Sequence, residues 1–248
     1  MNFRFPGMRE AGGNLLHESA VVGPDVRLGK GNFVGPFSAI VGNVEIGDDN
    51  WIGPHVTIGT APQYHGPRFE WKESGFLPIR IGHRNTLREY VSVNEPRDGV
   101  TLIEDDCYLM GGNFVAHDVA LRSRVTLSAG VQLSGFTEIQ YGCVMGLSST
   151  VHQFTTIGAF SMIGMSSVVI RDLPPFSKWA GNPARFLGLN AVGLERNGFS
   201  REQIDAIASA QRGGGAYPDL ALPHLERFTA RNAQTARGVA PTERGSRS

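Results

Sequence analysis

Residues 113–121, NFVAHDVAL, set one histidine beside one aspartate in a stretch otherwise made of one asparagine and apolar residues. An imidazole can take a proton near neutral pH, because its ordinary pKa is about 6.5. A carboxylate can orient such a ring and stabilise its cation. His117 and Asp118 are therefore a candidate base and its partner. Neighbouring side chains in a strand point to opposite faces, so direct pairing of the two stays open. A lone histidine is more often a solvated surface group, and the elements around this one decide its role.

Those elements repeat. Aliphatic residues recur at every sixth position from Val22 to Ile58, from Ile81 to Val93, and from Ile103 to Val169, with glycine following many of them. These 22 anchors keep one phase within three blocks. A helix buries positions three and four apart and a half-buried strand alternates by two. A period of six fits a parallel β-helix of hexapeptides, three to a coil. The count predicts about seven coils, stacked roughly 4.8 Å apart. Small residues two before the anchors, such as Ser38, Thr137 and Ser167, share the narrow interior. Cys107 and Cys143 fall in the same class, two coils apart. That separation of roughly 10 Å is too long for a disulfide.

Two insertions break the register, at about 60–79 and 94–101. The larger carries Tyr64, His65, Phe69 and Trp71, a composition suited to a binding loop. The β-helix is expected over 1–176, ending near Pro174 and Pro175. A small α-helical domain is expected over 177–236: a short helix in FLGLNAVGLERNG, a second opened by a Ser200–Gln203 capping box, and a third in PHLERFTARNAQ. Residues 237–248 read as a disordered tail.

Bulk properties exclude several classes. The 23 basic and 23 acidic residues balance, which argues against nucleic acid or an anionic membrane as partner. No 18-residue apolar run predicts a transmembrane span. Two cysteines without C-x-x-C spacing and no secretion signal point to the cytoplasm. Gly135 lies 18 residues beyond His117, one coil away, where a bare amide could support an oxyanion.

NFVAHDV, STVHQFTTIG, DLPPF, GNPARFLGLN and GLERNGFSREQI together resemble the acyl-ACP:UDP-N-acetylglucosamine O-acyltransferase family, over about residues 16–212. The resemblance implies a left-handed β-helix, a homotrimer with active sites between protomers, and an acyl chain delivered as a thioester on acyl carrier protein. It implies no cofactor or metal. It places the general base at His117 and the oxyanion amide at Gly135. His152 and Gln153 would line the same cleft. Asn190 and Arg196 match polar positions after the β-helix, with Arg196 and Arg201 facing the carrier protein. Met165 matches the floor of the acyl tunnel, where a methionine in place of glycine implies a chain nearer ten carbons than fourteen, 3-hydroxylated as in the family.

The departures gather at the acceptor end. Tyr64 stands near the family's aspartate and the following lysine is missing. Phe114 and Phe136 replace two histidines, NEPRD replaces HRGT, and an arginine pair becomes Arg196–Asn197. A UDP-sugar acceptor therefore competes with another sugar or a specialised-metabolite hydroxyl or amine. An acetyl-CoA-dependent acetyltransferase and a non-catalytic trimeric scaffold are further alternatives. A zinc enzyme needs converging imidazoles, and both coil neighbours of His117, Gly99 and Gly135, are glycine.

Overall fold

A computed structural model describes residues 5–63, 75–235 and 237–242. The chain winds as a parallel β-solenoid of three faces, each built of strands two to four residues long. Successive strands on a face pair in register 18 residues apart, as in Val115 with Leu133 and Leu133 with Val151. The anchors from Val34 to Val169 are buried at 4% exposure or less. Burying each such side chain contributes about 1.5–3 kcal/mol, and the column of them is the core.

The first face is crossed nine times, from Asn14–His17 to Ser177–Ala180. The solenoid thus has about nine coils rather than seven. The count from anchors stopped at Val22 and Val169, whereas Leu16 and Trp179 extend the stack at either end. Both ends are closed by antiparallel pairing, Met8–Ala11 on the first strand and Arg185–Leu189 on the last. The second closure differs from the helix expected in FLGLNAVGLERNG: only its latter part, Ala191–Arg196, is helical. Phe186 packs at 5.4 Å against Trp179, and that tertiary pairing outweighs the local helical pattern. Strand pairing therefore runs past residue 176.

Inside the first face, Asn14, Asn32 and Asn50 form a ladder, each side chain accepting from the backbone and amide of the next. The same position higher up holds Cys107 and Cys143, both free and buried. Burial pushes both thiols up to about 12.

Three helices follow: α1 (Ala191–Arg196), α2 (Arg201–Gln211) and α3 (Leu222–Asn232). The Ser200–Gln203 capping box opens α2. Phe160, Phe176, Leu194, Phe199, Ile204 and Ile207 form a second apolar cluster beneath them. The segment after α3 was expected to be disordered from 237. Its described part instead returns to the solenoid, where the Ala240 amide donates to the Asp172 carbonyl and Asp172 donates to Gly238. Residues 243–248 lie outside the described residues.

His224 on α3 packs edge-on against Phe160 at 4.9 Å. Burial first, and then Arg227, hold its pKa below the ordinary 6.5. Below that ordinary value the unfolded chain binds a proton the folded chain resists, so this contribution to stability is present above it and lost as pH falls. The melting temperature should drop between pH 7.5 and 5.5, and His224→Gln should show a smaller drop in the same thermal scans.

Candidate functional site

Most corners turn in the same way. The third residue after the anchor takes positive φ, as at Phe37, Asp106, Asp118, Phe136 and Phe154. That region is costly for most side chains and least so for Asp and Asn. Asp118, at φ 58°, occupies it directly after His117. The reversal swings the Asp118 carboxylate back over the imidazole, and Oδ2 lies 2.9 Å from His117 Nδ1. The two neighbours therefore pair, which an extended backbone would prevent.

Asp118 is saturated with donors. Its carboxylate also accepts from the Arg97 amide at 2.8 Å and the Gly99 amide at 2.7 Å. Its own N–H donates to Thr101 Oγ1 at 3.0 Å. The shorter insertion is thereby folded onto the corner that carries His117. Sequence reasoning found the insertion and the aspartate without linking them, and it counted Gly99 as the coil neighbour of His117; the ladder instead pairs Val93 with Val115, so Glu95 lies at that position and Gly99 belongs to the insertion.

A carboxylate at Nδ1 favours the tautomer that carries its proton on Nδ1 and its lone pair on Nε2. Nε2 has no hydrogen-bond partner among the described residues. His117 is 8% exposed, outside the core column but sunk into the corner. Gly135 lies flat against its ring: a Cβ there would stand 2.4 Å from Cε1 and 2.6 Å from Nε2. The Gly135 carbonyl accepts from Phe154 N at 3.1 Å, and Phe136 N donates to the His117 carbonyl at 3.2 Å. The Gly135 N–H itself meets no acceptor among the described residues. The corner thus presents one imidazole nitrogen and one backbone amide, a proton acceptor beside a hydrogen-bond donor.

The other candidates divide. Phe136 meets His117 edge-on at 5.2 Å and stacks on Phe154 at 4.7 Å, forming an apolar wall. Phe114 is half-buried on the strand leading to His117. His152 and Gln153 are exposed on the next coil up, the Gln153 carbonyl accepting from Arg237 Nε at 3.0 Å. Asn190 is buried as the cap of α1, accepting from Gly193 N and donating to the Phe160 carbonyl. Arg196 is exposed at the end of α1, and Arg201 pairs with Asp205 at 3.4 Å. Met165 is 70% exposed on a different corner, between the first and second faces. Tyr64 lies outside the described residues. Among the described residues no cluster of three or more His, Cys, Asp or Glu is placed to hold a metal, and no helix is long and apolar enough to cross a membrane.

Comparisons with known proteins meet this geometry. Residues 25–60 match the bacterial transferase hexapeptide model of six repeats. Residues 172–213 match the second domain of UDP-N-acetylglucosamine O-acyltransferase. The resemblance read from the sequence is thereby borne out. The chain is 39% identical over 164 residues to the acyl-[acyl-carrier-protein]–UDP-N-acetylglucosamine O-acyltransferase of Nautilia profundicola, over 64% of this chain and 60% of that protein. It therefore spans less than two thirds of the length of the curated relatives it matches. The solved UDP-N-acetylglucosamine acyltransferase of Campylobacter jejuni superposes with a TM-score of 0.69 at 25% identity, over 94% of this chain and 99% of the other. The Arabidopsis acyltransferase gives 0.64 at 26% identity, over 90% and 88%.

If Asp118 holds the insertion as well as the imidazole, Asp118→Ala should release both. Amide exchange at residues 97–99 should accelerate relative to the parent protein, while the ladder at Val115 and Leu133 stays protected. Unchanged exchange at 97–99 would mean that the insertion is held by something else.

Proposed function

We propose that the protein is an acyltransferase that moves a fatty acyl group from acyl carrier protein to the hydroxyl of a nucleotide sugar, UDP-N-acetylglucosamine being the acceptor its relatives are named for. The observation that carries this reading is the free Nε2 of His117 beside the free amide of Gly135. Acyl transfer to an alcohol needs both. Nε2 takes the hydroxyl proton as the oxygen attacks the thioester carbonyl, and Asp118 stabilises the resulting imidazolium. The Gly135 N–H supports the oxygen that becomes negative. Collapse breaks the carbon–sulfur bond, and the imidazolium returns the proton to the departing thiolate. No cofactor is required.

Gly135 also keeps space for the ring, since a side chain there would displace it. Phe114 and Phe136 give the acceptor end a less polar wall than the family's histidines would. His152 and Gln153, one coil beyond Gly135, are placed to meet the acceptor or the pantetheine arm, with Tyr64 proposed on the acceptor side. Arg196 is free to meet the acidic carrier protein, whereas Asn190 acts by capping the helix that presents it.

Met165 and His117 sit on different corners of one solenoid, and a channel bounded by both fits a groove closed by a second protomer. This supports a homotrimer with shared sites. Met165 stands three coils above the His117 level. That rise of about 14 Å suits a staggered acyl chain of roughly ten to twelve carbons. The free thiols and the carrier-borne donor suit the cytoplasm.

The test is mass spectrometry of products from purified protein with acyl carrier thioesters of several lengths, acyl-CoA, UDP-N-acetylglucosamine and other hydroxyl or amine acceptors. An ester on the UDP-sugar is expected, with transfer falling about 10²–10⁴-fold in His117→Ala, and longer chains preferred by Met165→Gly. Undiminished transfer in His117→Ala would refute the base. An amide product, or turnover with acetyl-CoA alone, would refute the acceptor or the donor.

A further inference from the structure

The amide of Gly135 is useful only if its peptide is held still, and the solenoid alone pins only part of that turn. The peptide that carries the Gly135 N–H is held within the turn, where Thr137 Oγ1 donates to the Ser134 carbonyl at 2.6 Å; the next peptide is tied through Phe136 N to the coil below and through the Gly135 carbonyl to the coil above. The Phe136 carbonyl is held from outside the solenoid: Arg231 on α3 donates to it from Nη2 at 3.0 Å. The same guanidinium faces Glu138, with Nε 3.5 Å from Oε2. Glu138, 4% exposed, is shared with Arg122, which also pairs with Glu104 at 3.0 Å. Burial works against the charge on Arg122, and Glu138 and Glu104 together outweigh it, raising its pKa above the ordinary value.

The rest of the segment is fastened nearby. Asn232 and Thr235 both donate to Asp172, a fully buried carboxylate that also accepts from Thr156 N at 2.7 Å. Arg237 holds the Gln153 carbonyl one coil above. Two consecutive corners of the candidate site are therefore gripped through backbone carbonyls by arginines 95 and 84 residues away in sequence. This segment lies beyond residue 213, where the match to the acyltransferase domain ends.

We infer that Arg231 is a positioning residue for acyl transfer: by binding the Phe136 carbonyl while anchored on Glu138, it fixes the turn that aims the Gly135 N–H at the reacting carbonyl. It touches no reacting atom. This inference rests on the acyltransferase reading above. A charge-assisted bond to a carbonyl is stronger than a neutral one, and misplacing a catalytic donor by about 1 Å can cost about 100-fold in rate.

The test compares the full-length protein with Arg231→Ala, Arg231→Lys and Arg227→Ala, an exposed arginine on the same helix. Steady-state kinetics with the acyl carrier thioester and UDP-N-acetylglucosamine are run beside amide exchange of residues 132–140 and thermal melting. Arg231→Ala should lower kcat by about 10- to 100-fold, leave both KM values within about twofold, and speed exchange at residues 134–137. Arg231→Lys or millimolar guanidinium should recover part of kcat, and Arg227→Ala should match the parent. Full kcat in Arg231→Ala overturns the inference, as does a loss matched by the fraction unfolded and not rescued by guanidinium. If the parent transfers no acyl group, the functional reading falls by itself; unchanged exchange at 134–137 would then overturn the bracing as well.

Discussion

The structure of the site depends on one hydrogen bond between consecutive residues, His117 Nδ1 to Asp118 Oδ2 at 2.9 Å. It exists because the coil geometry imposes a left-handed backbone three residues after most anchors, and Asp118 stands at such a place with φ 58°. Elsewhere that position also holds phenylalanines, serines and an Arg84–Asp106 ion pair, but at none of the other aspartates is a histidine the preceding residue. At this corner the conformational cost of about 1–2 kcal/mol brings a carboxylate to an imidazole and to three successive backbone amides of the insertion. One side chain thus sets the ring's tautomer and shapes the wall beside it.

The solenoid supplies the rest by translation. Residues 18 apart stack, so the corner above His117 is occupied by Gly135 and the one above that by Gln153. A glycine is required where the ring lies, since a Cβ would overlap Cε1. The ladder bonds run between coils and leave the Gly135 amide unpaired. The C-terminal segment adds what the repeat lacks, lateral support from outside the solenoid through Arg231 and Arg237.

Much of this was legible in the sequence because the repeat is strict. The period of six gave the faces, the inward column and the one-coil offset between His117 and Gly135, and Ser200 with Gln203 marked the start of α2 correctly. Other features lay beyond pattern reading. The pairing of His117 with Asp118 depends on a backbone angle that no residue type announces. The grip of Asp118 on residues 97–99 depends on how an insertion refolds. The strand at Arg185–Leu189 reads locally as helix and becomes strand only because Ser177–Ala180 offers an edge. Nothing in the sequence separates Arg231 from the other charges of its helix; its contact with the Phe136 carbonyl does. The coil count fell short because it began at Val22, although Leu16 lies six residues earlier in the same phase, and ended at Val169, before Trp179.

The most direct measurement is the tautomer of His117, read by nitrogen NMR of the histidine-labelled protein at a pH where that ring is neutral. The account predicts the proton on Nδ1 and an unprotonated Nε2, with the tautomer ratio shifting in Asp118→Asn. A proton found on Nε2 in the parent protein would leave no base facing the cleft and would contradict the account.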